Sequence, residues 1–159
     1  MTVDRALFRH THILRVRNYE VDWQGIVHNG NYLLYCEVGR VEYLKTIGAT
    51  VDLNSINSDS RVVLVRNEVD YRAPARFDDE LIVRTRIASI RRTSFTMEGI
   101  LERKSTGEIV AENVAVHVWL DPATERPTPV PASFRALVKS YEGDHCSIAS
   151  PDGSRESSR

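Results

Sequence analysis

The chain has 159 residues, with 21 Lys and Arg against 22 Asp and Glu and a formal net charge of −1. That length supports one hydrophobic core rather than two, and the balanced charge offers no bulk electrostatic reason for nucleic acid or an anionic membrane as partner. Cys36 and Cys146 stand far apart, one in an apolar helical pattern and one in a polar tail, which argues against a disulfide framework and fits a reducing cytoplasm.

The N-terminus, MTVDRALFRHTHILRV, lacks the uninterrupted apolar segment of a signal peptide, and no later run approaches the roughly 20 residues needed to span a bilayer. The expectation is a soluble, cytoplasmic protein without stable membrane insertion. From His12 to Tyr19 the residues alternate as in a strand, with Ile13 and the Val16 region apolar and Arg15 and Arg17 outward. The turn-rich VDWQG then interrupts it. Between Asn31 and Ile47 apolar residues fall at 32, 35, 36, 39, 43 and 47, with a second set on the neighbouring face, and only Glu37, Arg40, Glu42 and Lys45 leave a polar strip. Such a helix is expected to be covered by other structure, and Gly48 ends it.

After a polar loop, VDLNSINSDS, four strands follow at hairpin spacing: RVVLVRNEVDYRA, stopped by Pro74, then ELIVRTRIASI, SFTMEGILERK and EIVAENVAVHVWL. The last carries apolar residues on both faces towards its end, as a strand buried on both sides does. Pro122, Pro127, Pro129 and Pro131 break the sheet, and a short helix over Ser133 to Tyr141 is expected next. From Gly143 onward the composition predicts a disordered tail. One strand, one long helix and four strands in antiparallel succession define an α+β domain in which a curved sheet wraps one helix.

Asp22 lies where the first strand gives way to the helix, six residues before His28 and seven before Asn29. Backbone N–H groups at a helix start are unpaired and favour negative charge, so they form an oxyanion site. A carboxylate beside them could attack an acyl carbonyl or take a proton from a water that does, and Gly25 lets the loop fold back between the two parts. An Asp just before a helix is also a common turn or cap residue, and spacing alone leaves both roles open. Asn29 and Asn31 can likewise serve as caps. His28 has no partners at metal-ligand spacing, since His10, His12, His117 and His145 form no HxxxH or HExxH pattern. No metal and no cofactor are expected.

The run RVRNYEVDWQGIVHNGNYLLYCEVGRVEYLKTIG resembles the signature of the hotdog-fold acyl-CoA thioesterases, in particular the 4-hydroxybenzoyl-CoA thioesterase-like group that includes the YbgC-type enzymes. The resemblance covers residues 12 to about 120. It implies a hotdog fold, a five-stranded antiparallel sheet wrapped around one long central helix, as a single domain over residues 1–142 with a polar tail over 143–159. It implies hydrolysis of an acyl-CoA or aryl-CoA thioester by a homodimer or homotetramer, with coenzyme A as part of the substrate.

Carried over by position, Asp22 matches the family's carboxylate, nucleophile or general base, and the Asn29 backbone N–H matches the oxyanion donor. His28 stands beside them in the pocket wall. YbgC-like members place a His one position later, after an aromatic, where this chain has Val-His-Asn; the chemistry therefore rests on Asp22 and the backbone at Asn29. Tyr32 matches a position facing the acyl pocket. Glu37 and Arg40 match a helix pair that an i, i+3 salt bridge explains, although one branch places its acid on the helix. For the nucleotide and pantetheine, the turn of Arg91, Arg92, Thr93 and Ser94 is the main basic and hydroxylic cluster, which a solvated turn explains as well. Arg72 and Arg76 are secondary candidates, Asn67 could reach the pocket from its strand, and His117 reads as an interior or interface histidine. Two other readings stay open: a non-catalytic acyl-CoA binding module, and a hotdog hydratase or dehydratase, whose pattern of Asp followed five residues later by His is missing.

Overall fold

The computed structural model describes residues 3–49 and 61–152. The loop VDLNSINSDS and the last seven residues of the tail lie outside the described residues. Two helices, α1 (Asn29–Thr46) and α2 (Ala132–Glu142), accompany six strands: β1 (His10–Arg15), β2 (Arg61–Tyr71), β3 (Glu80–Ile90), β4 (Ser94–Arg103), β5 (Ile109–Leu120) and β6 (Ser147–Ile148). The sheet order is β1, β3, β4, β5, β2, with β6 beside β3. This is the α+β hotdog arrangement expected, with one short strand added.

Pairing follows from the connections. β1 lies antiparallel to β3, from His10 opposite Thr85 to Arg15 opposite Glu80. Short hairpins join β3 to β4 and β4 to β5, closed by bonds from Arg91 N to Ser94 O and from Arg103 N to Glu108 O, each 2.8 Å. β2 is an edge strand. Arg72 N donates to Val110 O at 2.9 Å, and Asn113 Nδ2 donates to Glu68 O at 2.8 Å, so residue numbers on β5 and β2 run in opposite directions.

The described residues form two compact units, one of 3–43, 68–86 and 98–114, the other of 44–49, 61–67, 87–97 and 115–152. In the first, α1 buries a stripe of Tyr32, Tyr35, Cys36, Gly39, Arg40 and Tyr43, the spacing of one helical face. Val83, Leu101 and Val110 from the strands pack with the upper part of that stripe. Contact is close at Gly39, where an added Cβ would stand 2.4 Å from Val83 Cγ1 and 2.7 Å from Thr85 Oγ1. In the second unit Phe95, Trp119 and Phe134 form an aromatic cluster, with ring centroids of Phe95 and Trp119 each about 5 Å from Phe134. His117 stacks on Phe95 at 5.0 Å and is half-buried.

Several expectations are corrected. The opposite face of α1 is not covered by the described residues: Leu34 is 61% exposed and Val38 is exposed too. Arg40, assigned to the polar strip, is buried instead. Its Nε donates to Glu37 Oε2 and its Nη1 to Asn113 Oδ1, each 3.0 Å, so the charge is paired and hydrogen-bonded where it is buried. β1 starts two residues before His12 and stops at Arg15, because Arg17 N donates to Glu20 Oε2 at 2.7 Å and a 3₁₀ turn over Asn18–Glu20 leads the chain off the sheet. β5 is continuously buried at its start, residues 110–113, rather than near its end. There Val3 N and Arg72 hold the Glu112 carboxylate, and Arg40 holds Asn113.

The segment from Gly143, read as a disordered tail, carries structure as far as Ile148. A 3₁₀ turn over Gly143–His145 precedes β6, which pairs parallel with Ser89 and Ile90. β1 pairs with β3 only as far as Thr85, leaving the edge at Ser89 and Ile90 open to β6. Arg135 of α2 fastens this segment: buried, it donates to the carbonyls of Val130, Ala149, Arg91 and Arg92 at 2.6–3.1 Å.

Candidate active site

The stretch before α1 is a small hairpin. Val21 and Val27 form an antiparallel bridge, Asp22 N donates to Ile26 O at 2.8 Å, and Gly25 N donates to Asp22 O at 3.0 Å. Gly25 sits at φ 78°, in the left-handed region where a side chain would be strained, which is why the turn closes so tightly. One Asp22 carboxylate oxygen accepts from Gln24 N at 2.8 Å, an Asx-type turn. Its other oxygen has no hydrogen-bond partner among the described residues. Asp22 thus holds the turn with one oxygen and presents the other.

Glu20 anchors the hairpin to the helix. Its carbonyl accepts from His28 N at 2.9 Å and from Asn31 Nδ2 at 2.7 Å. Its carboxylate accepts the Tyr35 hydroxyl at 2.8 Å, and burial, then this bond, raises the Tyr35 pKa far above the ordinary phenol value. On the far side, Val27 N donates to Ala75 O at 2.8 Å, and Ile26 bridges to Arg76.

The helix start departs from expectation in one respect. Of its first N–H groups, Gly30 N donates to His28 Nδ1 at 3.1 Å and Asn31 N donates to His28 O at 2.9 Å. The imidazole occupies the place where a Ser or Asp cap usually stands, and Gly30 admits it: a Cβ there would lie 3.4 Å from Nδ1. That leaves the Asn29 N–H without a partner among the described residues. Among the described residues the start of α1 therefore offers one open backbone N–H, where several were expected.

Asp22, His28, Asn29 and Tyr32 line one cavity of about 780 Å³. Tyr32 forms its floor: the side chain is buried, and its hydroxyl oxygen accepts from Ala75 N at 3.0 Å. Burial raises its pKa, so the phenol stays protonated. Trp23, 92% exposed, Tyr71 and Pro74 also line it. The sequence reading missed these three. Tyr71 meets Tyr32 edge-on at 5.3 Å between centroids, and its hydroxyl donates to Asn29 O at 3.1 Å. An aromatic just before the strand-ending Arg-Ala-Pro was the one signal that could have found it.

Most of the remaining candidates lie elsewhere. Asn67 and the Arg91–Ser94 turn do not line the cavity; the Arg91, Arg92 and Thr93 carbonyls instead accept from Arg135 and Trp119 N. Arg72 lines it, but its guanidinium is held by Glu112, Nε to Oε2 at 2.8 Å. Arg76 and Glu37 are not in its wall, and Glu37 pairs with Arg40, as their i, i+3 spacing predicts. Among the described residues no three His, Cys, Asp or Glu side chains gather where they could hold a metal ion, and no helix is long and apolar enough to cross a membrane.

Comparison with known proteins identifies the class to which this sheet order, with a hairpin leading into α1, belongs: the chain is a member of the thioesterase-like superfamily, whose profile matches residues 16–138. The chain is 31% identical over 133 residues to the chloroplastic acyl-acyl carrier protein thioesterase ATL2 of Arabidopsis thaliana, covering 83% of this chain and 69% of that protein. It is 30% identical over 128 residues to the acyl-CoA thioester hydrolase YbgC of Escherichia coli, covering 79% and 92%. A crystal structure of a Thermus thermophilus thioesterase complexed with coenzyme A and Zn superimposes with a TM-score of 0.72 at 31% identity, over 86% of this chain and 96% of that one.

Proposed function

We propose that the protein hydrolyses an acyl-CoA or aryl-CoA thioester to the free acid and CoA, without a resident metal or cofactor. The observation that carries this reading is that the uncommitted oxygen of Asp22 and the open N–H of Asn29 belong to residues of one cavity. Asp22 either attacks the thioester carbonyl, forming an anhydride that water then cleaves, or takes a proton from a water that attacks. In both routes the carbonyl electron pair moves onto oxygen, where the Asn29 N–H and the helix dipole hold it. The intermediate then collapses and expels CoA thiolate, which takes up a proton.

Kinship with YbgC supports the CoA ester as substrate. The similarity to an acyl-acyl carrier protein thioesterase supports a second reading of the same site, in which the pantetheine arm is attached to a carrier protein. Assaying matched acyl groups on CoA and on carrier protein separates the two. The edge strand β2 exposes Val62, Leu64 and Val65, which favours a homodimer or homotetramer that pairs or covers this edge. Two cysteines outside any disulfide fit a cytoplasmic setting.

Asp22→Asn is the decisive test. It keeps the turn bond to Gln24 and removes the charge; expected is loss of turnover with the melting temperature and CoA binding intact. Wild-type thiol release by this variant would sink the reading.

A further inference from the structure

The oxyanion reading leaves a shortage. A developing alkoxide is well held by two donors, and the backbone at the start of α1 offers one, because His28 consumes the Gly30 and Asn31 N–H groups. The same bond that consumes Gly30 N–H supplies a replacement. Nδ1 of His28 accepts from Gly30 N at 3.1 Å, so it must carry a lone pair. In the neutral ring the proton is then fixed on Nε2, at the opposite side of the imidazole. His28 is exposed, and it is a wall residue of the cavity that also holds Asp22 and Asn29.

From this cap geometry we infer that the His28 Nε2–H is the second oxyanion donor, paired with the Asn29 N–H on the thioester carbonyl oxygen. His28 acts here as a neutral hydrogen-bond donor, neither base nor acid. No proton leaves the ring during the cycle: it stabilises the electron pair on oxygen as Asp22 or its water adds, and releases it as the C–S bond breaks. The i, i+2 cap makes the ring rigid, as a donor aimed at a transition state must be. The inference rests on the Asp22 reading, of which it completes the second half.

Two substitutions separate the two ring nitrogens. Asn places its amide oxygen near Nδ1 and keeps the cap, while Gln reaches towards Nε2 with an N–H donor and loses it. Expected for His28→Asn is an unchanged melting temperature with kcat lower by about 10²-fold, the scale of one lost oxyanion donor, and little change in KM. Expected for His28→Gln is a lower melting temperature with most of that kcat restored. Nitrogen NMR of the wild-type ring should find Nε2 protonated and Nδ1 bare. Wild-type kcat in His28→Asn, the reverse order of the two variants, or a proton on Nδ1 overturns the inference. If Asp22→Asn is inactive while His28→Asn is not, only this inference fails; if Asp22→Asn turns over normally, the Asp22 reading fails first.

Discussion

The Tyr71 hydroxyl donates to the Asn29 carbonyl at 3.1 Å, joining the last residue of β2 to the first residue of α1. Asn29 therefore has one peptide group tethered to the sheet and the other open to the cavity. Tyr71→Phe keeps the ring against Tyr32 and cuts only the tether. One neutral hydrogen bond is worth about 0.5–1.5 kcal/mol, so kcat should fall about 2- to 13-fold by the rate equivalence of 1.36 kcal/mol per decade, with KM nearly constant. Steady-state kinetics check this, and an unchanged kcat would show that the tether does not position the donor.

At Gly39 the helix α1 lies close against β3. A methyl group there meets Val83 Cγ1 at 2.4 Å, nearer than carbon atoms approach, and the backbone of both elements is fixed by its own ladder. Gly39→Ala should destabilise by about 1–3 kcal/mol, the usual cost of overpacking, despite the better helix propensity of Ala. At roughly 2–4 °C per kcal/mol for a domain of this size, the melting temperature drops by several degrees. A stabilised variant would mean that helix and sheet part more easily than their packing implies.

His10 gives stability a pH dependence. It is 6% exposed, its Nδ1 has no hydrogen-bond partner among the described residues, and it packs edge-on against Tyr43 at 5.7 Å. Burial first, then the neighbouring His12, lowers its pKa, with Glu42 opposing. The unfolded chain binds the proton more readily, at about pH 6.5, so the stabilising effect is whole above that value and is lost as pH falls from it through the folded pKa. His10→Phe keeps an aromatic edge and removes the titration. Melting curves from pH 7.5 to 5 should fall less steeply for the variant, and parallel curves would assign the acid sensitivity to other groups.

The parts of the fold legible in the sequence are those with a local period. The stretch ELIVRTRIASI gave β3 at both ends, and Gly48 marked the stop of α1, because strand alternation and helix punctuation are written within a dozen residues. The hairpin at Asp22 was legible from its glycine. Contacts across long sequence separations were not. Arg40 looked like part of a polar strip because its acceptor is Asn113, and the tail looked unstructured because its anchor is one arginine bonded to carbonyls. The His28 cap escaped for a different reason. Histidine is a rare cap, and its neighbour Asn29 is a common one, so spacing favoured the wrong residue. Whether Asp22 and its neighbours perform the chemistry was carried by the family resemblance rather than by periodicity.

Neither cysteine is in a disulfide, and both are buried, Cys36 at 3% exposure and Cys146 at 6%. Burial pushes the Cys36 thiol up to about 12, and the thiolate is the form that reacts with disulfide reagents. A chromogenic disulfide dye added to the native enzyme will therefore meet little protein thiol at neutral pH, and its colour will count the thiol released from the substrate. Turnover can be followed continuously in the unmodified chain, without replacing Cys36 and disturbing the core it shares with Tyr32.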